Sequence, residues 1–450
     1  MSSAGRGMMR AGRAVAAGAG LTIVGALAGC GNTYRPVVSA INPVGPAGQP
    51  QKYALAVSSP GPTSNGLLTI VDFSGDTVLV NATLGVNPYY FAISTAGTTG
   101  YTLNSDKTVN SFDISTSLIT SQVLETTLLP GSNPVSLFAN SSTTYIPDIG
   151  LSSVDQLTST PPALKQELPV AANPVYVVGI NGAPRVYAIS QGKGGGVGQV
   201  AAIETSENTI STTIPVGHSP IYGVMTGDAR RAFILNQGDG TVTVINAITN
   251  ALDQPLLPNP IAVGVRPVWA DLVPTKDEMV VANEGTGTSQ GSLSIVSIPL
   301  CAATTQPGST STCDSTNPVD ANSFGQVLAT VPVATNPIMV TALSDGTRAY
   351  VANAGVASLP CSATGVYPPP AGQTTCSVSV VNLSTFTVTA TIPLTAHPAW
   401  IASTNSTPTG KVYVVCNDSQ VMTVIETDTD SLDTTIPLQG YGVSVRVTAP

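Results

Sequence analysis

His218 and His397 are the only histidines in the 450-residue chain. Imidazole chemistry, whether acid–base catalysis or metal ligation, needs partners that converge on the ring. The acids that follow comparable apolar runs are Asp106, Asp239, Glu284 and Asp418. They fall in different segments at no fixed spacing, which reads as turn chemistry or a solvated face. Asp428, Asp430 and Asp433 alternate like part of a calcium loop, but the glycine and terminal glutamate of such a loop are missing. Gly192 and Gly194-Gly195-Gly196 precede no helix whose N-terminus could hold a phosphate. The sequence therefore assigns no catalytic residue, no metal and no cofactor.

A stronger pattern is aromatic. Pro88, Pro134, Pro174, Pro220, Pro267, Pro337 and Pro398 each open a short apolar run. Two residues further on stand Tyr90, Ser136, Tyr176, Tyr222, Trp269, Met339 and Trp400. Five of these seven are aromatic in a chain that is 5% aromatic, and both tryptophans are among them. Just before the prolines stand Asn87, Asn133, Asn173, Ser219, Arg266, Asn336 and His397. Amides and indoles at one mouth can stack on a planar or sugar-like ligand and hydrogen-bond to it without net charge. The same residues also suit packing between neighbouring elements, with Asn before Pro serving a turn.

The elements that must position these residues repeat. Aligned on the aromatic of a short apolar run, units start at Tyr53, Tyr101, Tyr145, Tyr187, Phe233, Val280, Tyr350 and Tyr413, spaced 48, 44, 42, 46, 47, 70 and 63 residues apart. The two long intervals hold insertions bracketed by cysteines. Each unit runs through the aromatic strand, an alternating strand such as Thr241-Val242-Thr243-Val244-Ile245, and a third such as Ala390-Thr391-Ile392-Pro393-Leu394. The Pro-led strand then follows. Proline inside the third strand fits an outer edge, where no ladder donor is required. Four short strands per unit of about 45 residues is β-propeller spacing.

Tyr350-Val351-Ala352-Asn353, followed by Ser377-Val378-Ser379-Val380-Val381-Asn382, resembles the YVTN-type β-propeller repeat. The resemblance covers about residues 52–450 and is weakest at Tyr145, whose run contains Pro147. It implies an all-β propeller of four-stranded blades, with eight blades expected and seven as the alternative. The Pro-led strand would be innermost, which puts Asn87, Asn133, Asn173, Arg266, Asn336 and His397 at one mouth of the channel, with Trp269 and Trp400 close by. Tyr441 to Val447 is expected to close the ring as the inner strand of the first blade, in preference to Arg35 to Ile41. The family spans surface proteins, secreted binders and lactonase-like enzymes, so the resemblance speaks for fold more than for function. The Trp-docking repeat of eight-bladed quinone-dependent dehydrogenases is absent.

Residues 1–29 read as a signal peptide: Arg6, Arg10 and Arg13, then the apolar run Ala14 to Ala28. Leu27-Ala28-Gly29-Cys30 resembles the bacterial lipobox, which implies lipidation at Cys30. Gly31 rather than Asp after that cysteine implies outer-membrane sorting. Residues 30–51, with Pro43, Pro46 and Pro50, would be a tether, and 52–450 one propeller domain. Two local disulfides, Cys301–Cys313 and Cys361–Cys376, are expected to clamp the insertions near 301–325 and 358–376, as suits an oxidising compartment. Cys416 remains over, inside an apolar run.

Charged residues make up 9% of the chain against about 25% usually, and 42% are hydrophobic, which excludes disorder driven by charge. Without residues 1–29 the chain has 13 basic and 25 acidic residues, a net −12 that argues against nucleic acid as a partner. The expectation is an envelope lipoprotein, held to the membrane by its lipid, whose propeller is a binding or interaction scaffold for a glycan or a protein. The alternative is a lactonase-like hydrolase using the channel mouth. The non-enzymatic reading is preferred because histidines are few and acids are unpaired in the repeat.

Overall fold

The computed structural model describes residues 53–114, 123–159, 161–253, 259–299, 323–362, 369–404 and 410–448. The expected signal peptide, Cys30, the tether and the Cys301–Cys313 pair lie outside them. The described residues form eight antiparallel sheets and a single 3-10 turn, Pro274–Lys276. Each sheet is a blade, and all but one follow chain order from an inner to an outer strand.

The inner strands of blades 2 to 8 are Pro88–Ile93, Phe138–Ala139, Pro174–Val178, Pro220–Met225, Pro267–Val273, Pro337–Ala342 and Pro398–Ser403. Blade 1 takes its inner strand from the far end of the chain: Tyr441–Val447 pairs antiparallel with Tyr53–Ser59. Thr448 adds a hydrogen bond at each side of Tyr53, donating from its backbone N–H to the Tyr53 carbonyl and accepting the Tyr53 N–H on its hydroxyl. The eight-blade expectation and the all-β class are therefore correct. Pro215, Pro332, Pro393 and Pro437 sit in outermost strands, where their missing N–H breaks no ladder.

Blade 3 departs from its siblings. Pro147 lies in its second strand, Thr143–Asp148, and lacks an N–H to donate. Its inner strand is reduced to Phe138–Ala139 plus an isolated bridge between Pro134 and Asp148.

The core is divided among the blade interfaces. The aromatics that open the repeats, Tyr101, Tyr145, Tyr187, Phe233, Tyr350 and Tyr413, are all fully buried. The tyrosine hydroxyls need partners, and four find them in the next blade. Tyr145 donates to Asn208 (2.5 Å), Tyr187 to Asn250 (3.2 Å), Tyr350 to Asp430 (2.5 Å) and Tyr413 to Asp76 (3.2 Å). All four acceptors have positive φ, 49–54°, in the hairpin between a blade's last two strands. Asn and Asp tolerate that conformation better than other side chains with a Cβ. The last of these bonds joins blade 8 to blade 1, so the staple continues across the closure.

Candidate functional site

The mouth loops come first. Asn87, Asn173, Ser219, Arg266 and Asn336 all have φ between 45° and 57°, so the residue before the proline is held in the left-handed region. The amides are tied down as well. Asn173 Nδ2 donates to the Gly192 carbonyl (2.8 Å), Asn336 Nδ2 to the Gly355 carbonyl (3.0 Å), and Asn87 Oδ1 accepts from Ser59 Oγ (2.7 Å). Asn133 is placed through its backbone N–H, which donates to Asp148 Oδ1 at 2.8 Å. The Asn173 and Asn336 amides thus brace loops of their own blades, while Asn87 ties the start of blade 2 to Ser59 of blade 1.

The charged mouth residues pair locally, Arg266 and His397 with acids of the blades they lead into, and His218, at the end of the outermost strand of blade 4, with an acid of blade 5. Arg266 meets Glu284 at 2.9 Å, and His218 Nδ1 meets Asp239 at 2.8 Å. His397 Nδ1 meets Asp418 at 2.6 Å, and its Nε2 faces the Leu359 carbonyl at 3.1 Å. Asp106 accepts from the backbone N–H and hydroxyl of Thr108. The four acids on which a hydrolytic centre would depend are therefore each engaged with a local partner, Asp239 with His218 at the end of blade 4 and the other three within their own blades. Asp430, from the calcium-like run, receives Tyr350 and Arg348 instead.

Further along the inner strands the aromatic residues do come together. Tyr176, Tyr222, Trp269, Trp400 and Tyr90 reach the axis from five blades. Successive ring centroids lie 4.7, 3.9, 5.2 and 6.3 Å apart. The Tyr222–Trp269 pair is stacked and the Trp269–Trp400 pair is edge-on, both favourable arrangements for aromatic quadrupoles. The contacts thus run as one series from Tyr176 through Tyr222, Trp269 and Trp400 to Tyr90. Each indole also packs against more than one interblade core: Trp269 touches three and Trp400 two. Ring packing and channel lining are thus properties of the same side chains.

Past these rings is a cavity of about 230 Å³. Its walls include Tyr222, Trp269 and Trp400, with Asp271, Ser403 and Arg446 deeper along the strands. The Arg446 guanidinium lies 3.9 Å from the Trp400 ring centroid, a cation–π contact, and donates to the Phe91 carbonyl. Asp271 accepts backbone N–H bonds from Leu272 and Ala342, both 2.9 Å. Burial outweighs those bonds and pushes its carboxyl up to about 6. Burial likewise raises Tyr222 well above the usual phenol range. The cavity thus combines stacking faces, a cation and a carboxyl that changes charge near pH 6.

Sequence reading found the indoles and missed Asp271 and Arg446. One signal was present: a lone acid in Val268-Trp269-Ala270-Asp271-Leu272-Val273, four residues after the proline. Arg446 gave none, because its place opposite Leu55 depends on closure by a distant strand. The Cys361–Cys376 disulfide is present as expected, and it closes the loop between the second and third strands of blade 7. Cys416 is free and buried, which pushes its thiol up to about 12.

No family model and no curated protein matches this chain. Solved structures do match in fold. Dihydro-heme d1 dehydrogenase NirN in complex with DHE is 12% identical with TM-score 0.58, over 92% of this chain and 79% of that one. Apo AztD from Citrobacter koseri is 9% identical with TM-score 0.56, over 88% and 97%. A protein named as a candidate 6-phosphogluconolactonase from Bacteroides fragilis is 13% identical with TM-score 0.52, over 90% and 99%. At such identities the likeness is one of fold alone.

Proposed function

We propose that this chain is a lipid-anchored envelope protein of the YVTN-type propeller family that acts as a binding scaffold, with the axial cavity as its ligand site. The observation that carries the binding reading is the series of five aromatic rings in contact beside a cavity that holds Arg446 and Asp271. Stacking faces with one cation suit a neutral or mildly anionic glycan-like ring. The chain's net negative charge disfavours polyanions. The anchor reading rests on Leu27-Ala28-Gly29-Cys30 after an apolar run. A hydrolytic reading needs the histidines and acids at one centre, and they are instead held in separate local pairs, His218 with Asp239, Arg266 with Glu284 and His397 with Asp418.

Both tryptophans of the chain line the cavity, so a ligand that enters it must change intrinsic fluorescence. Titration with a panel of mono- and oligosaccharides is the test. Binding that weakens at least about tenfold in Arg446→Met, with an unchanged melting temperature, supports the cavity as the site. No fluorescence change with any member of the panel rejects the glycan reading.

A further inference from the structure

We propose that Cys361, Cys376 and His397 form a thiol-gated metal site, closed as the disulfide and able to hold one zinc ion when reduced. Their ligand atoms all lie within 4.8 Å of one another. In a tetrahedral zinc site, Zn–S near 2.3 Å and Zn–N near 2.0–2.1 Å place neighbouring ligand atoms roughly 3.5–4 Å apart. Reduction frees the two bonded sulfurs to separate to that spacing, with the His397 ring already within reach of both. The primary structure carries no Cys-x-x-Cys signal; the fold assembles the set from a loop of blade 7 and the entry to blade 8.

The imidazole is already oriented as metal-bound imidazoles usually are. Asp418 Oδ2 stands 2.6 Å from Nδ1, and Asp418 Oδ1 accepts the His397 backbone N–H at 2.8 Å. Such a carboxylate fixes the ring and leaves the other nitrogen for the metal. That nitrogen, Nε2, faces the Leu359 carbonyl at 3.1 Å, two residues ahead of Cys361 on the same loop. In the oxidised protein the disulfide leaves no thiolate to bind a metal, and the loop occupies the free edge of the ring. Cys376 is buried and Cys361 half-buried, so the second is the sulfur open to attack.

The gating step balances with an external dithiol. The dithiol gives two electrons and two protons, its own sulfurs become a disulfide, and the Cys361–Cys376 bond breaks to two thiols. Zinc then displaces the two thiol protons, and neutral Nε2 completes three protein ligands with a fourth position open to water. Cys416 stays outside this chemistry, because burial keeps its thiol protonated.

Cobalt(II) titration of the full-length protein tests the site, using a phosphine reductant that offers no competing thiol. The reduced wild type should bind one ion with the intense visible bands of tetrahedral cobalt–thiolate. The oxidised protein should show none. His397→Asn, which leaves both cysteines in place, should weaken the reduced site at least about tenfold. Cys361→Ser should abolish the bands. Equal binding by reduced wild type and His397→Asn overturns the proposal. So do bands that persist in Cys361→Ser, which would place the ion on other cysteines, and so does their absence from reduced wild type.

Discussion

Asp271 lies half-buried among apolar and aromatic neighbours, and that position sets a pH dependence. Its folded-state carboxyl is raised to about 6, above an unfolded value near 3.9, so the folded chain binds that proton more tightly. The stability contributed is complete below about pH 4 and is lost as pH climbs through about 6. Asp155, fully buried and near Asp148, is pushed up to about 7, chiefly by burial, and acts in the same sense. The wild type should therefore lose stability between about pH 4 and 7, on the order of a few kcal/mol in all. Chemical denaturation at several pH values should show Asp271→Asn reducing the slope between about pH 4 and 6, and Asp155→Asn reducing it across about pH 4 to 7. A wild-type stability that rises across this window would contradict both assignments. Trp269→Ala is a different case, since the ring packs against three cores. It should cost about 3–5 kcal/mol and lower the melting temperature, so Arg446→Met is the cleaner probe of the cavity. At this scale the sequence showed the kind of residue but not its neighbours. A proline two residues before an aromatic fixes a place on the inner strand. Whether that ring meets Tyr222, Arg446 or solvent depends on blades far away in the chain.

The strand and the hairpin were the most legible level. Second strands are apolar runs that carry an aromatic in all blades but the sixth, where Val280 stands instead, and prolines mark the edges, so eight blades could be expected ahead of seven. The interblade staples were not legible, because they join a tyrosine to a turn residue about 60–80 positions later. Tyr350→Phe should cost about 1–2 kcal/mol by removing the bond to Asp430, read as a shift in the denaturation midpoint. The asparagine that ends the second strand does similar work. Asn283 Oδ1 accepts the Gly264 N–H of the preceding blade (3.2 Å), while its Nδ2 donates to the Ser292 and Ser294 hydroxyls. A Cβ on Gly264 would stand 2.5 Å from the Asn283 amide, and Asn283 is fully buried and held on both sides. Gly264→Ala should destabilise by about 1–3 kcal/mol. Gly227→Ala, where a Cβ meets nothing within 4 Å, should change the same melting curve little. Equal effects of the two substitutions would reject the staple.

At the scale of the whole ring, closure rests on Tyr441–Val447, the last strand described. A chain ending at Gly440 should lose monomeric folded protein, because Tyr53–Ser59 then becomes an inner edge without a partner. Size exclusion with circular dichroism would show this as aggregation or loss of sheet signal. An intact monomer would show that seven complete blades suffice. Cys30→Ser should move the protein from the membrane to the soluble fraction if the lipid is its anchor, and retention in the membrane would remove that reading. The ring expectation was legible because the final alternating strand has no blade of its own. Closure also gives the order of synthesis a meaning. Ribosomes deliver blade 1 first and its inner strand last, so the earliest sheet waits through the making of nearly all the others. A product that stops before Tyr441 keeps an open seam, with unpaired N–H and C=O groups along Tyr53–Ser59 that a protease or chaperone can recognise. The seam ties the fold to synthesis of its closing strand: only a product that reaches Val447 can hide both ends of the ring.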